Sequence, residues 1–137
     1  NIVVVNSSEI QYKLIDVGSV RPAGHRPKSP QSKIRLGSRN WLYWAPELLQ
    51  SKGTYSDDRS DYFSFGATAF YLLAGHSPFS NSEPDESLYL DKYMKEYESL
   101  MRELEILCYD LDLPHHLILR IYNWLHPLPS HRKIDNG

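Results

Sequence analysis

Apolar positions along the chain follow two different periods, and the change of period divides it. Ile2-Val3-Val4-Val5 is a continuous β-branched run that reads as a buried strand, and Tyr12 to Ile15 is a second short strand signal. The polar Asn6-Ser7-Ser8-Glu9 between them predicts a hairpin. Further on, Ala45 to Gln50 carries Pro in its first turn and predicts a short helix. Ser60 to Ala74 is apolar almost all round, which places a helix in the middle of a domain, and Gly75 supplies its C-cap. Either Ser60 or Asp61 is the expected N-cap of that helix. From Asp85 to Cys108, Leu90, Met94, Tyr97, Leu100, Leu104 and Leu107 recur at spacings of three and four, the signature of one face of a long amphipathic helix. Pro114 opens a last helix through His116, Leu117, Leu119, Ile121 and Leu125, stopped by Pro127 and Pro129. The expected fold is mainly α, with a small hairpin and about four helices, and no internal repeat is visible.

Length and composition narrow this picture. At 137 residues, 41% apolar and 23% charged, the chain is one globular unit rather than a disordered or fibrous one. Its one Cys forms no internal disulfide, which favours cytoplasm or nucleus. It opens on Asn1 rather than Met, directly before a strand, and is read as beginning in mid-structure. None of its apolar runs is long enough to cross a membrane.

The net charge of −2 hides an asymmetry. Val17 to Pro46 has no acidic residue but holds Arg21, Arg26, Lys28, Lys33, Arg35 and Arg39, so the rest carries 9 basic against 17 acidic residues. With Pro22, Pro27, Pro30 and Gly24 in it, this stretch predicts a long basic surface loop. It lacks the interleaved aromatics of a nucleic-acid stacking platform, and no nucleic acid is expected as a partner. The six His and Cys108 fit no zinc spacing, and neither a Ser-His-Asp nor a Cys-His order arises. The histidines are read as helix-end and loop residues.

Single motifs are ordinary: Asp16-Val17-Gly18 is a β-turn, and Ala45-Pro46-Glu47 a helix start. Their order is not. Asn1 before a strand, then Asp16-Val17-Gly18, Tyr43-Trp44-Ala45-Pro46-Glu47, Ser60-Asp61-Tyr62-Phe63-Ser64-Phe65-Gly66, Gly75-His76-Ser77-Pro78-Phe79 and Pro129-Ser130-His131-Arg132 together resemble the C-terminal lobe of a eukaryotic-type protein kinase, across residues 1–137. The resemblance makes residues 17–44 the activation segment.

It also implies roles. Asp16 and Asn1 would hold Mg²⁺ and, through it, ATP, as the Asp of Asp-Phe-Gly and the catalytic-loop Asn do in the family. Both offer the hard oxygen donors that Mg²⁺ takes. Glu47 would pair with Arg132 and tie the end of the activation segment to the last helices. Asp61 would bind backbone amides of the catalytic loop. Ser29 and Ser32, among the loop's Arg and Lys, would be phosphorylation sites able to order it. The implied activity is transfer of the ATP γ-phosphoryl group to a Ser or Thr hydroxyl of a protein substrate.

The chain departs from the family pattern in four places. Val17 replaces Phe, and Leu128 replaces the Asp of Asp-Pro-x-x-Arg. The stretch from Gly37 to Glu47 is longer than usual, leaving Ser38 and Asn40 as candidates for the substrate-facing Thr. The Gly-rich loop, the ATP-binding Lys, its Glu partner and the His-Arg-Asp base would all precede Asn1, so the 137-residue segment alone is expected to be inactive. Two alternatives stand beside the enzyme: a pseudokinase scaffold, and an unrelated helical interaction domain that uses the long helix Asp85 to Cys108 as a partner face.

Overall fold

The computed structural model describes residues 2–6, 8–14, 42–49, 58–79 and 89–132. The elements in chain order are β1 (Ile2–Asn6), β2 (Ile10–Leu14), α1 (Pro46–Leu49), α2 (Asp58–Ala74), α3 (Tyr89–Asp110) and α4 (His115–Trp124), followed by a 3-10 turn at Pro129–His131. The fold is mainly helical, as the periodicity predicts. Ile15, Gln50 and residues 85–88, the outer ends of three predicted elements, lie outside the described residues.

β1 and β2 pair antiparallel, with Val4 opposite Tyr12 and Ile2 opposite Leu14. The β1 run is not buried as its composition suggests. Ile2, Val4, Ile10, Tyr12 and Leu14 share one face of the hairpin, and all five are exposed, while Val3 and Val5 are half-buried. A buried strand needs cover on both faces, and a two-stranded ribbon supplies none of its own.

α2 begins two residues earlier than the sequence suggests, so Ser60 and Asp61 stand inside its first turn rather than at its N-cap. Asp58 and Asp61 place negative charge at the positive end of the helix dipole. Ser64 and Thr68 hydroxyls donate to the carbonyls of Ser60 and Ser64 one turn back, at 3.2 and 2.9 Å, which satisfies polar groups within an apolar helix. At its end Gly75 adopts φ +77° and its N–H reaches the Tyr71 carbonyl at 2.8 Å. The helix is central on one side only. Phe63, Gly66, Ala67 and Phe70 are buried, but Phe65 and Leu72 are 53% and 75% exposed, so the expectation of a helix covered all round is not met. α4 packs on the buried side of α2, where Phe63 also meets Tyr93 of α3.

α4 crosses α2 closely at Gly66: a Cβ there would sit 3.0 Å from the Trp124 Cβ and 3.3 Å from the Leu125 Cγ. The Trp124 ring lies beside it, against Tyr62 and Phe65, with centroids 5.8 and 5.2 Å away. α3 turns its Tyr93, Tyr97, Leu100 and Leu104 into the core, joined there by Ile118, Ile121 and Leu125 of the α4 region. Asp112, at φ 50°, reverses the chain between α3 and α4, and the Leu113 N–H bonds the Cys108 carbonyl at 3.0 Å. Phe79 stacks between Phe63 and Tyr93, at 5.7 and 4.2 Å, which brings the Gly75–Phe79 turn onto the core.

His76 in that turn ties α2 to α3. Its Nδ1 lies 2.9 Å from the Ser77 carbonyl and its Nε2 2.6 Å from Glu103 Oε1. Both partners accept only, so the imidazolium, with two N–H donors, satisfies the site and the neutral ring does not. The Ser77 carbonyl, and then Glu103, hold its pKa above the ordinary histidine value against partial desolvation.

Candidate functional site

Three parts of the chain distant in sequence meet at Arg132. α1 begins with Pro46 fixed in its first turn and so presents Glu47 inward; α2 contributes Ser60 from its first turn; the segment after α4 contributes backbone carbonyls. Glu47 is 8% and Arg132 3% exposed, so the pair is buried on both sides. NH1 and NH2 of Arg132 donate to Glu47 Oε1 and Oε2 at 2.7 and 2.9 Å, the two-pronged geometry that a planar guanidinium matches to a carboxylate.

The remaining donors are also engaged. Nε donates to the His126 carbonyl at 2.7 Å, NH1 to that of Arg59 at 3.0 Å, and NH2 to that of Pro127 at 3.0 Å. All five guanidinium N–H groups therefore have acceptors. Glu47 Oε1 receives a further hydrogen bond from the Ser60 hydroxyl at 2.9 Å, and the guanidinium lies over the Phe63 ring, 4.8 Å from its centroid. Burial of a charge is costly unless it is paired and hydrogen-bonded, and here both conditions hold. A Lys at 132 would supply three donors from one point and could not reproduce the fork.

The turn that carries Arg132 has its own support. Leu128, where the family pattern places Asp, is the N-cap of the 3-10 turn and makes no side-chain cap. Instead its N–H donates to Nδ1 of His126 at 3.1 Å, closing the chain over Pro127. The His126 ring stacks on His131, with centroids 4.5 Å apart and planes 11° apart, and meets the Tyr97 ring edge-on at 4.7 Å. Desolvation, then the charges of His131 and Arg132, push the His126 pKa below the ordinary histidine value, against the Leu128 contact. Tyr97 donates to the Tyr122 carbonyl at 3.1 Å, and burial raises its phenol pKa far above the usual tyrosine range.

Of the residues singled out by sequence, Glu47 and Arg132 are brought together. Asp61 stands exposed in the first turn of α2. Asn1, Asp16, Ser29 and Ser32 lie outside the described residues, as does all of the 17–44 segment except Leu42, Tyr43 and Trp44. Sequence reasoning missed Ser60 as a ligand of Glu47, since the expected N-cap role hid it. It also missed Phe63 beneath the guanidinium and the His126 ring behind the turn. Ser60 and Phe63 do sit within the motif around Asp61, the one available signal; nothing in sequence marks His126.

The helical fold and the long-range pair between an Ala-Pro-Glu helix and a late Arg agree with the motif order. Residues 1–116 match the family model described as protein kinase domain, and the chain belongs to that family. Individual relatives match over shorter stretches. Tribbles homolog 3 from Homo sapiens and from Bos taurus are each 48% identical over 42 residues, 31% of this chain and 12% of theirs. Beta-adrenergic receptor kinase 1 from Homo sapiens is 44% identical over 50 residues, 36% of this chain and 7% of its own.

Proposed function

We propose that this chain is the C-terminal lobe of a protein kinase whose full-length form transfers the γ-phosphoryl of ATP to a Ser or Thr hydroxyl of a protein substrate, in the cytoplasm or nucleus. The observation that carries this reading is the Glu47–Arg132 pair with all five guanidinium donors engaged, in a chain of the protein kinase domain family. In this reading the pair braces the C-terminal end of the activation segment, residues 17–44, so that the segment meets a fixed support where substrate binds. Asp61 supports the catalytic loop, and phosphorylation of Ser29 or Ser32 orders the basic segment by giving its Arg and Lys an anion to pair with.

The Asp16 carboxylate and the Asn1 amide carbonyl form a donor set that fits Mg²⁺, being hard oxygen ligands. Held by Asp16 and Asn1, Mg²⁺ would supply neutralisation of charge on the ATP phosphate oxygens. Asp16→Asn in the full-length protein is expected to abolish phosphotransfer to a generic protein substrate while the circular dichroism spectrum stays unchanged. Undiminished activity would overturn the assignment.

Val17, in place of the family's Phe, favours a second reading: a pseudokinase scaffold that keeps the fold without the reaction. Mg²⁺-dependent ATP binding and phosphotransfer by the full-length protein separate the two, since the scaffold shows no transfer.

A further inference from the structure

Two of the five acceptors around Arg132 are the carbonyls of His126 and Pro127, held in place by the same short turn that Leu128 N–H closes onto His126 Nδ1. A backbone N–H can only donate, so His126 Nδ1 must be unprotonated, and the neutral ring carries its proton on Nε2. A second proton has to enter at Nδ1 and must break the Leu128 contact. It would also place a cation in a stack 4.5 Å from His131 and next to Arg132. Among the described residues, the titratable and charged groups facing the ring are Tyr97 from α3, and His131 and Arg132 from the turn. Tyr122 of α4 stacks behind Tyr97, while the Glu47 carboxylate of α1 is reached through Arg132, which also bonds the backbone carbonyl of Arg59 in α2. Among the described residues, Tyr97, His131 and Arg132, which meet the ring or act on its charge, include no anion that would welcome the proton.

We propose that His126 is a proton-sensitive positioning residue: protonation at Nδ1 opens the turn after α4, withdraws the His126 and Pro127 carbonyls from Arg132, and so loosens the Glu47–Arg132 brace. The consequence for the activation segment rests on the kinase reading above; the opening of the turn does not. Lowered affinity for the proton in the fold means that the unfolded chain binds more protons between the two pKa values. Stability contributed by the neutral ring is therefore full above the ordinary histidine value of 6.5 and is lost as pH falls below it toward the folded value.

The test is an imidazole ¹⁵N and amide hydrogen-exchange titration of the full-length protein from about pH 8 to about pH 5, the range that spans histidine ionisation. The expected result is an Nε2–H tautomer for His126 at the alkaline end, then loss of amide protection at Leu128 and Arg132 in step with its ionisation. His126→Asn, whose Oδ1 occupies the place of Nδ1 and can still accept from Leu128 without titrating, is expected to remove that loss. His131→Asn, which takes away the stacked ring, should move His126 ionisation to higher pH. An Nδ1–H tautomer at neutral pH, protection that does not change with ionisation, or the same acid loss in His126→Asn would each overturn the proposal. If His126→Asn does not fold, the wild-type titration decides alone. Acid loss of protection with phosphotransfer unaffected would support the turn's opening and count against the brace.

Discussion

The helical body and the hairpin are held by different physics. In the body, α2, α3, α4 and the turn after α4 bury aromatic and aliphatic side chains against one another and enclose a paired charge. The hairpin is held by its own backbone ladder, and an entire face of five apolar residues meets solvent. The difference teaches that equally apolar sequence need not be equally structural. Phe63 and Tyr12 are both aromatic, but only Phe63 has a core to lose.

Mutations at the two ends of this contrast should differ most. Arg132→Met leaves the Glu47 carboxylate buried without its cation and is expected to cost about 3–5 kcal/mol in chemical denaturation. Arg132→Lys should recover only part of it. Gly66→Ala comes next. A helical Gly→Ala exchange ordinarily gains about 1 kcal/mol, but a Cβ 3.0 Å from the Trp124 Cβ must push α2 and α4 apart. Overpacking at about 1–3 kcal/mol should win and lower the melting temperature.

His76→Gln probes a weaker, surface part of the body and sharpens the contrast through pH. The raised pKa of His76 contributes stability that is present below the ordinary value of 6.5 and fades as pH rises through the folded value. Wild type and variant should therefore differ at mildly acidic pH and converge at alkaline pH. That sign is opposite to that of His126, so the chain is expected to be most stable between the two titrations. Smallest of all, Tyr12→Thr keeps β propensity and removes only an exposed ring, and should stay within about 0.5 kcal/mol. A loss as large as a core truncation would break the comparison and show that the hairpin face is covered in solution.

The same contrast explains what could be read in advance. Helices α2 to α4 were legible because Leu100 and Leu104, or Phe63, Ala67 and Phe70, repeat at the helical period, and Gly75 and Pro114 mark ends by their backbone limits. The Glu47 and Arg132 partnership was legible only through motif order, since 85 residues separate them and no local pattern links them. Burial of β1 was misjudged because composition reports what a strand could bury and not what lies against it. Ser60 was misplaced because Ser before an apolar helix has a strong local use, which the start of α2 at Asp58 overrode. The His126 ring depends on how the chain folds back after α4, and that geometry has no periodic signature.

The convergence on Arg132 also sets an order in time. Its acceptors come from residues 47, 59, 126 and 127, so the guanidinium has no complete set of partners until α1, α2 and the segment after α4 have all arrived. Closing so long a loop is paid in chain entropy before any hydrogen bond is returned. The helices can form and begin to dock through local contacts, whereas the arginine can lock only a nearly finished body. It acts as a clasp across parts of the chain that no local contact joins, complete only when all of them are docked.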